Sequence, residues 1–230
     1  MIQSEYLFKA LAERGIHFFA GVPDSLLKDF CAYVTDHVNE SHHVITANEG
    51  NAVALSAGYY LGTGQPSLVY LQNSGLGNTV NPLLSLNDPE VYGLPVLLMI
   101  GWRGEPGVKD EPQHIKQGRI TPALLDAMEI RWQIMDSNTE DLDAILDTAL
   151  LQMHRHSGPA VLLVRKGSFA PYKLKKNEIV NENMEIVEDP NLKDNRPEVG
   201  TDNQQPEVGN NQPFKHGGTK DEHGVDFNRS

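Results

Sequence analysis

Short apolar segments recur along the first 175 or so residues, and segments with helical periodicity separate them. SLVYLQ, PVLLMIG and PAVLLVR are the clearest examples, because almost every side chain in them is apolar. Strands of this kind are buried on both faces and occur in parallel sheets that helices cover on each side. The pattern therefore predicts an α/β fold with an open parallel sheet of about six strands. The predicted strands are IHFFAG, HVITA, SLVYLQ, PVLLMIG, IRWQIM and PAVLLVR.

Capping and turn residues predict where the helices lie. Ser4 is predicted to cap a first amphipathic helix that ends at Gly15, and Asp24 or Ser25 is predicted to cap the second. The residues expected on the buried face of the first helix are Tyr6, Leu7, Ala10 and Leu11. Further helices are predicted in NAVALSAGYYLG and around Val80 to Leu86, Thr121 to Met128 and Thr139 to His156.

The composition changes at Asn177. From there to Ser230 the chain is rich in Asn, Asp, Glu, Gly and Pro and has no helical or strand period, so we expect a folded domain over 1–176 and a disordered polar tail over 177–230.

A net charge of −12 argues against nucleic acid or an anionic membrane as a partner. Cys31 stands alone, which excludes an intramolecular disulfide, and the expected compartment is the cytoplasm.

Polar residues are concentrated in the segments that leave the predicted strands. In open parallel sheets ligands bind beyond the carboxyl ends of the strands, so these segments are the predicted ligand site. Each segment also has a purely structural explanation, since Gly21 and Pro23 suit a turn and Glu49 suits the first turn of a helix. The segments are AGVPDS, ANEGN, QNSGLGN, GWRGEPGVKDEPQH and RKGS.

Several familiar kinds of site are not supported. QNSGLGN lacks the spacing of a dinucleotide fingerprint and the Lys-Ser or Lys-Thr of a P-loop. His114 has no second His at metal-ligand spacing, so no metal ligand is assigned to this chain. Ser25 and Ser74 lack the context of a hydrolase triad.

The strand-end segments resemble those of a known enzyme family. From about residue 1 to 172 the chain is similar to the amino-terminal, pyrimidine-binding half of the phosphonopyruvate decarboxylases, which are thiamine diphosphate enzymes. Sulfopyruvate decarboxylase, whose two halves are separate subunits, is a near relative of that family. The segments that carry the resemblance are GVPDSLLKDFCAY, ANEGNAVALSAGYYLGTG and the run from Tyr70 to Met128, and the most specific part of that run is Gln72 to Gly118.

The resemblance implies decarboxylation of a 2-oxo acid, with phosphonopyruvate giving phosphonoacetaldehyde and carbon dioxide as the first expectation. Glu49 is similar to the glutamate that hydrogen-bonds the aminopyrimidine ring of the cofactor and promotes its reactive tautomer. The other implied residues are Asp24, Asp110 and His114 for catalysis, Gln72, Asn73 and Gly75 for the cofactor, and Ser25, Arg103 and Lys109 for the substrate.

One feature of the family is absent from the sequence. The family binds the diphosphate and magnesium through a second domain with a Gly-Asp-Gly motif, and no Gly-Asp-Gly occurs in this chain. We therefore expect the chain to be inactive alone and to need a separate diphosphate-binding subunit or domain, which would hold the magnesium. Three alternatives stay open: a sulfopyruvate-type α subunit, a truncated enzyme, and a non-catalytic ligand-binding homologue.

Overall fold

The computed structural model describes residues 1–139 and 141–175, and the tail predicted over 177–230 lies outside them. The described chain forms one six-stranded sheet in which every neighbouring pair is parallel. The strands are β1 (Phe19–Gly21), β2 (His43–Ile45), β3 (Leu68–Gln72), β4 (Val96–Gly101), β5 (Arg131–Met135) and β6 (Pro159–Val164), in the spatial order β2-β1-β3-β4-β6-β5. The predicted open parallel sheet is confirmed, and all six predicted strands are present.

Helices cover both faces of this sheet. They are α1 (Ser4–Glu13), α2 (Lys28–His37), α3 (Glu49–Thr63), α4 (Leu76–Pro82), α5 (Pro112–Ala127) and α6 (Leu142–His156), with a 3-10 turn at Asn73–Gly75 and a π-helical turn at Leu83–Asn87. No helix among the described residues is long and apolar enough to cross a membrane.

Alternate side chains of each central strand enter two separate cores. In β4, Leu97 and Met99 pack with α1, α2 and α6, whereas Leu98 and Ile100 pack with residues of α3, α4 and α5. Every residue of β4 is buried, which explains why its sequence is uniformly apolar. Each fully buried aliphatic side chain contributes about 1.5–3 kcal/mol to folding, so the central strands form a rigid base for the strand-end segments.

The beginning of α1 differs from the prediction. Ser4 is the first residue of the helix and not its cap, and its hydroxyl is buried with no hydrogen-bond partner among the described residues. Tyr6 is half exposed, and its hydroxyl bonds the carboxylate of Asp143 on α6 at the surface. Leu7, Ala10 and Leu11 are buried as predicted, and Gly15 has the positive φ of a helix stop.

Helices after α1 also begin elsewhere than predicted, and α2 and α5 show the reasons. Asp24 does not cap α2 directly, because its side chain closes a turn by accepting from the Leu26 backbone N–H, and the helix starts at Lys28. The helix expected to begin at Thr121 begins at Pro112, since Pro112 occupies the first turn, where a missing N–H costs nothing.

Pro122 lies inside α5 and explains how this helix docks. A proline cannot donate to the carbonyl four residues earlier, which frees the carbonyl of Gly118. The indole N–H of Trp102, immediately after β4, donates to that carbonyl at 2.8 Å. The gap in the hydrogen bonding of the helix thus fixes α5 to the end of the central strand.

Candidate active site

The strand order brings the polar segments together at one edge of the sheet. The carboxyl ends of β2, β1, β3 and β4 lie side by side, and the segments that follow them contain Glu49, Asp24, Asn73 and Arg103 respectively. The chain passes from β1 outward to β2 and then returns to β3 on the other side of β1, so a crevice between loops is expected at β1 and β3.

Glu49 is the first residue of α3. The side chain of Asn48 caps the helix by accepting from Gly50 N–H at 2.8 Å, which holds Glu49 at the helix start. The amide of Asn78 donates to Glu49 Oε2 at 2.8 Å. The Cα of Gly75 lies against the Glu49 side chain so closely that a methyl group on Gly75 would overlap the carboxylate. Among the described residues, Oε1 accepts no hydrogen bond and is available to a ligand.

Asp24 is a buried carboxyl group, 4% exposed. Its Oδ2 accepts from Leu26 N–H at 3.0 Å, and its Oδ1 has no partner among the described residues. Burial raises the pKa of the Asp24 carboxyl, and the backbone hydrogen bond and the nearby Arg103 offset this only in part. A carboxyl group in this state is suited to carrying a proton.

Arg103 and Asp110 form an ion pair within the segment after β4. The guanidinium donates to Asp110 from Nε at 2.9 Å and from Nη2 at 2.6 Å, and Nη1 donates to Ser25 Oγ at 2.9 Å. Asp110 also accepts from the backbone N–H groups of Gly104 and Glu111. The hydrogen bonds from Arg103 hold the pKa of Asp110 well below its usual range.

Asn73 is 1% exposed, and its side chain is engaged inside the protein. Its Nδ2 donates to the Arg103 carbonyl at 2.8 Å and to Thr121 Oγ1 at 3.0 Å, and its Oδ1 accepts from Arg103 N–H at 3.1 Å. Both amide hydrogens are thus used, and the predicted cofactor contact of Asn73 stays a prediction without a free donor to support it. Gln72 donates to Ser74 Oγ at 2.5 Å and is partly exposed.

His114 and Lys109 lie farther along the same segment. His114 is in the first turn of α5 and is half-buried. Lys109 is exposed and lines a cavity of about 360 Å³ between the loop and α5, together with Arg119. The residues that line this cavity do not include Asp24, Ser25 or Arg103, although Lys109 directly precedes Asp110, the ion-pair partner of Arg103.

Three residues of this edge were not singled out from the sequence. Gly101 ends β4 and lies against Asp24, Asn78 bonds Glu49, and Thr121 bonds Asn73. Asn78 is the last residue of the polar segment QNSGLGN, but nothing in a single sequence pairs it with Glu49. Among residues 1–139 and 141–175, no three His, Cys, Asp or Glu side chains cluster in a way that would hold a metal ion.

A family model and several curated proteins match this chain. The model described as "Thiamine pyrophosphate enzyme, N-terminal TPP binding domain" matches residues 1–130. The phosphonopyruvate decarboxylase of Streptomyces viridochromogenes is 35% identical over 176 residues, which are 74% of this chain and 42% of that protein. The sulfopyruvate decarboxylase subunit alpha of Methanococcus maripaludis is 33% identical over 163 residues, which are 71% of this chain and 95% of that subunit.

Solved structures show the same fold. The thiamine diphosphate-dependent 4-hydroxybenzoylformate decarboxylase of Rhodococcus jostii aligns with a TM-score of 0.51 at 20% identity, over 77% of this chain and 32% of that chain. The benzoylformate decarboxylase of Polynucleobacter necessarius aligns with a TM-score of 0.50 at 20% identity, over 71% of this chain and 29% of that one. With the family match over residues 1–130, the chain belongs to the thiamine pyrophosphate enzymes, through their N-terminal TPP-binding domain.

Proposed function

We propose that this chain supplies the pyrimidine-binding half of a thiamine diphosphate-dependent 2-oxo acid decarboxylase, with phosphonopyruvate as the first candidate substrate and phosphonoacetaldehyde and carbon dioxide as products. The observation that carries the proposal is the placement of Glu49 at the start of α3, with Oε2 held by Asn78 and Oε1 free among the described residues. The relatives named phosphonopyruvate decarboxylase, 33–35% identical to this chain, support the choice of substrate.

The residues around Glu49 fit the aminopyrimidine ring of the cofactor. Among the described residues Oε1 is an unused acceptor for a ring N–H, and the absence of a side chain at Gly75 is what allows the carboxylate to take this position. Gln72 is a further candidate contact at the same edge. When bound, thiamine diphosphate supplies the carbon nucleophile and the electron sink that decarboxylation of a 2-oxo acid requires. The role of Glu49 is to orient the ring and to hold a proton at Oε1.

Asp24 is the proposed proton carrier. Its raised pKa and the unpartnered Oδ1 suit a group that takes up a proton and delivers it to the product carbon. His114, at the start of α5, is a second candidate for this step. Asp110 was expected to share the role, but its lowered pKa keeps it ionised, and we propose instead that it holds Arg103 in place.

Arg103 is the proposed contact for the tetrahedral anion of the substrate. A guanidinium has five N–H donors, and among the described residues Asp110 and Ser25 engage three of them, which leaves two for a ligand. The charge of Arg103 is already balanced by Asp110, so a dianionic phosphonate needs further positive charge. Lys109 and the partner domain are the candidates for that charge.

The chain spans about two fifths of the length of the phosphonopyruvate decarboxylases that it matches, 42% and 41%. We propose that a separate subunit or domain binds the diphosphate and holds the magnesium, and that the active protein is a homo- or hetero-oligomer in the cytoplasm. The relative named subunit alpha, of which this chain covers 95%, supports a two-subunit arrangement and sulfopyruvate as the second candidate substrate.

The test is carbon dioxide release from phosphonopyruvate and from sulfopyruvate, with thiamine diphosphate and magnesium. The chain is assayed alone, with a candidate diphosphate-binding subunit from the same source, and as Glu49→Gln in the same mixture. Activity in the mixture that Glu49→Gln abolishes supports the proposal, and the larger kcat/KM identifies the substrate. A Glu49→Gln mixture with near-normal turnover contradicts the proposed role of Glu49. No activity in any mixture favours a non-catalytic ligand-binding protein.

A further inference from the structure

Thr121 lies in the middle of α5, and among the described residues Asn73 is the site residue to which its side chain bonds. We propose that Thr121 and Asn73 are positioning residues that fix Arg103, and through it the two free guanidinium donors, at the substrate end of the site. This inference rests on the proposed function, because it takes Arg103 as the contact for the substrate anion. Both residues are 1% exposed, so neither is placed to touch a ligand with its side chain.

Asn73 holds the backbone of Arg103 at two points. The Arg103 N–H donates to Asn73 Oδ1 at 3.1 Å, and the Arg103 carbonyl accepts from Asn73 Nδ2 at 2.8 Å. Paired bonds on both sides of one Cα fix the direction in which its side chain leaves the backbone. Asn73 directly follows β3, so its bonds to Arg103 anchor that residue to the rigid sheet and not only to its own loop.

Thr121 adds a third constraint on the way the Asn73 amide is turned, beside the N–H and the carbonyl of Arg103. The Thr121 hydroxyl donates its only hydrogen to the Gln117 carbonyl at 2.7 Å, so it can only accept from Asn73. This acceptor requires an N–H of Asn73 on its side, which leaves Oδ1 to face the N–H of Arg103. A single rotamer of the buried amide therefore satisfies all three neighbours, and a flipped amide would satisfy none of them.

The helix that carries Thr121 is held against the same segment by close backbone contact. A methyl group on Gly118 would overlap the carbonyls of Gly104 and Arg103, and one on Gly104 would overlap the carbonyl of His114. Trp102 adds its bond to the Gly118 carbonyl at 2.8 Å. These contacts hold Thr121 rigidly against Asn73. A residue that positions others must itself be held in this way.

The first test follows Arg103 itself in the full-length chain, without cofactor or substrate. Solvent exchange of the Arg103 Nε–H is measured by NMR in the wild type, in Thr121→Val and in Thr121→Ser. Valine keeps the shape and removes the acceptor, whereas serine keeps the hydroxyl. We expect exchange at least about tenfold faster in Thr121→Val, the factor that corresponds to one buried hydrogen bond, and near wild-type exchange in Thr121→Ser.

Two outcomes of this test overturn the inference. One is unchanged Arg103 exchange in Thr121→Val. The other is an equal increase in exchange at the Arg103 Nε–H and at every slowly exchanging backbone amide. Thr121 would then stabilise the fold as a whole and would not position Arg103. Backbone amides in β4 and β6 provide this reference within each sample, so a loosely folded variant is recognised directly.

The second test is kinetic and uses the reconstituted decarboxylase. Thr121→Val should raise KM for the substrate about tenfold with a smaller change in kcat. Thr121→Ser keeps the hydroxyl, so its KM should stay close to that of the wild type. Equal KM values in the two variants would contradict the inference. If the mixture has no activity at all, the proposed function fails, whereas the NMR result still decides whether Thr121 positions Arg103.

Discussion

The Cα of Gly101 lies against the carboxylate of Asp24, and a methyl group on Gly101 would overlap Asp24 Oδ2. Gly101 is the last residue of β4 and is paired with Gln72 of β3 and Val164 of β6, so its backbone is held from both sides. Asp24 therefore has to give way if a side chain is introduced. The absence of a side chain at Gly101 is what allows a carboxyl group to be buried over the end of the central strand.

Gly101→Ala should therefore move Asp24 without touching any other polar group of the site. We expect kcat of the reconstituted enzyme to fall about 100-fold, the size of effect typical of a displaced acid or base. Glu49 should still bind the cofactor, so the dissociation constant of thiamine diphosphate should change little. Steady-state kinetics and a cofactor titration by fluorescence measure the two quantities.

Gly62→Ala is the matched control, because a methyl group there meets no atom within 4 Å. It lies in α3, where alanine favours the helix, so its melting temperature should stay the same or rise slightly. Full activity in Gly101→Ala would show that Asp24 either does not move or is not required for turnover.

Gly75 lies against the carboxylate of Glu49, as Gly101 lies against that of Asp24. Its φ of −81° suits alanine, so the contact with the carboxylate is the only obstacle to a side chain. Gly75→Ala should push Glu49 from its position, weaken cofactor binding and lower kcat about 100-fold. Gly77→Ala, two residues later with open space around it, should behave like the wild type. Equal losses of kcat and cofactor affinity in the two variants would mean that any side chain added to this segment disturbs the site, and that the contact with Glu49 is not the cause.

The six strands, their parallel arrangement and the polar character of the segments that follow them could be predicted from the sequence, because these features follow from local patterns, whereas the spatial order of the strands could not. Uniformly apolar segments such as Val96–Gly101 are typical of buried parallel strands, and ligand sites of such sheets lie beyond their carboxyl ends. The resemblance to a family added the individual roles, and the contacts of Glu49 are compatible with the role that it implied.

The pairings within the site could not be predicted. Asn73 and Thr121 are 48 residues apart, and a single sequence gives no reason to join them. The start of α5 differs from the predicted Thr121 for a local reason, since a proline is most often found in the first turn of a helix, whereas Pro122 lies ten residues after the first residue of α5. The carbonyl that it frees is satisfied by Trp102, which is a tertiary contact that local rules do not contain.

Asp24 should make the stability of the chain depend on pH. Its folded pKa is raised by burial, so it favours folding while it is protonated, below the unfolded pKa of about 3.9, and this contribution is lost as the pH rises through the folded pKa. Relative to Asp24→Asn, the wild type should therefore lose free energy of unfolding as the pH is raised from about 4 through the folded pKa. Urea denaturation of both proteins across this range measures the difference.

The charged groups near Asp24 limit the size of this effect. Arg103 lowers the pKa of Asp24, and the buried thiol of Cys31 on α2, whose pKa is raised to about 12, is neutral throughout the range. Arg103→Gln should therefore steepen the pH dependence that Asp24 causes. A difference between wild type and Asp24→Asn that does not change with pH would show that Asp24 titrates normally.

Asp110 should have the opposite pH dependence, because its folded pKa is lowered by Arg103. Its stabilising contribution is present above the unfolded pKa of about 3.9 and is lost as the pH falls through the much lower folded pKa. The Asp110 side chain is 6% exposed and that of Arg103 is 18% exposed, so removing one partner leaves a largely buried charge. Asp110→Asn should cost about 1–3 kcal/mol of the free energy of unfolding at neutral pH.

Glu5→Gln is the control for this prediction. Glu5 forms an ion pair with Lys9 on α1 at 2.6 Å, the same distance as in the Arg103–Asp110 pair. The side chains of Glu5 and Lys9, however, are both more than half exposed. Solvent screens such a pair, so Glu5→Gln should leave the free energy of unfolding nearly unchanged. The cost of Asp110→Asn should shrink as the pH is lowered below about 4, because Asp110 then loses its charge in the unfolded state and finally in the folded state. Equal effects of the two substitutions at neutral pH would mean that the Arg103–Asp110 pair is exposed to solvent and cannot hold the site in place.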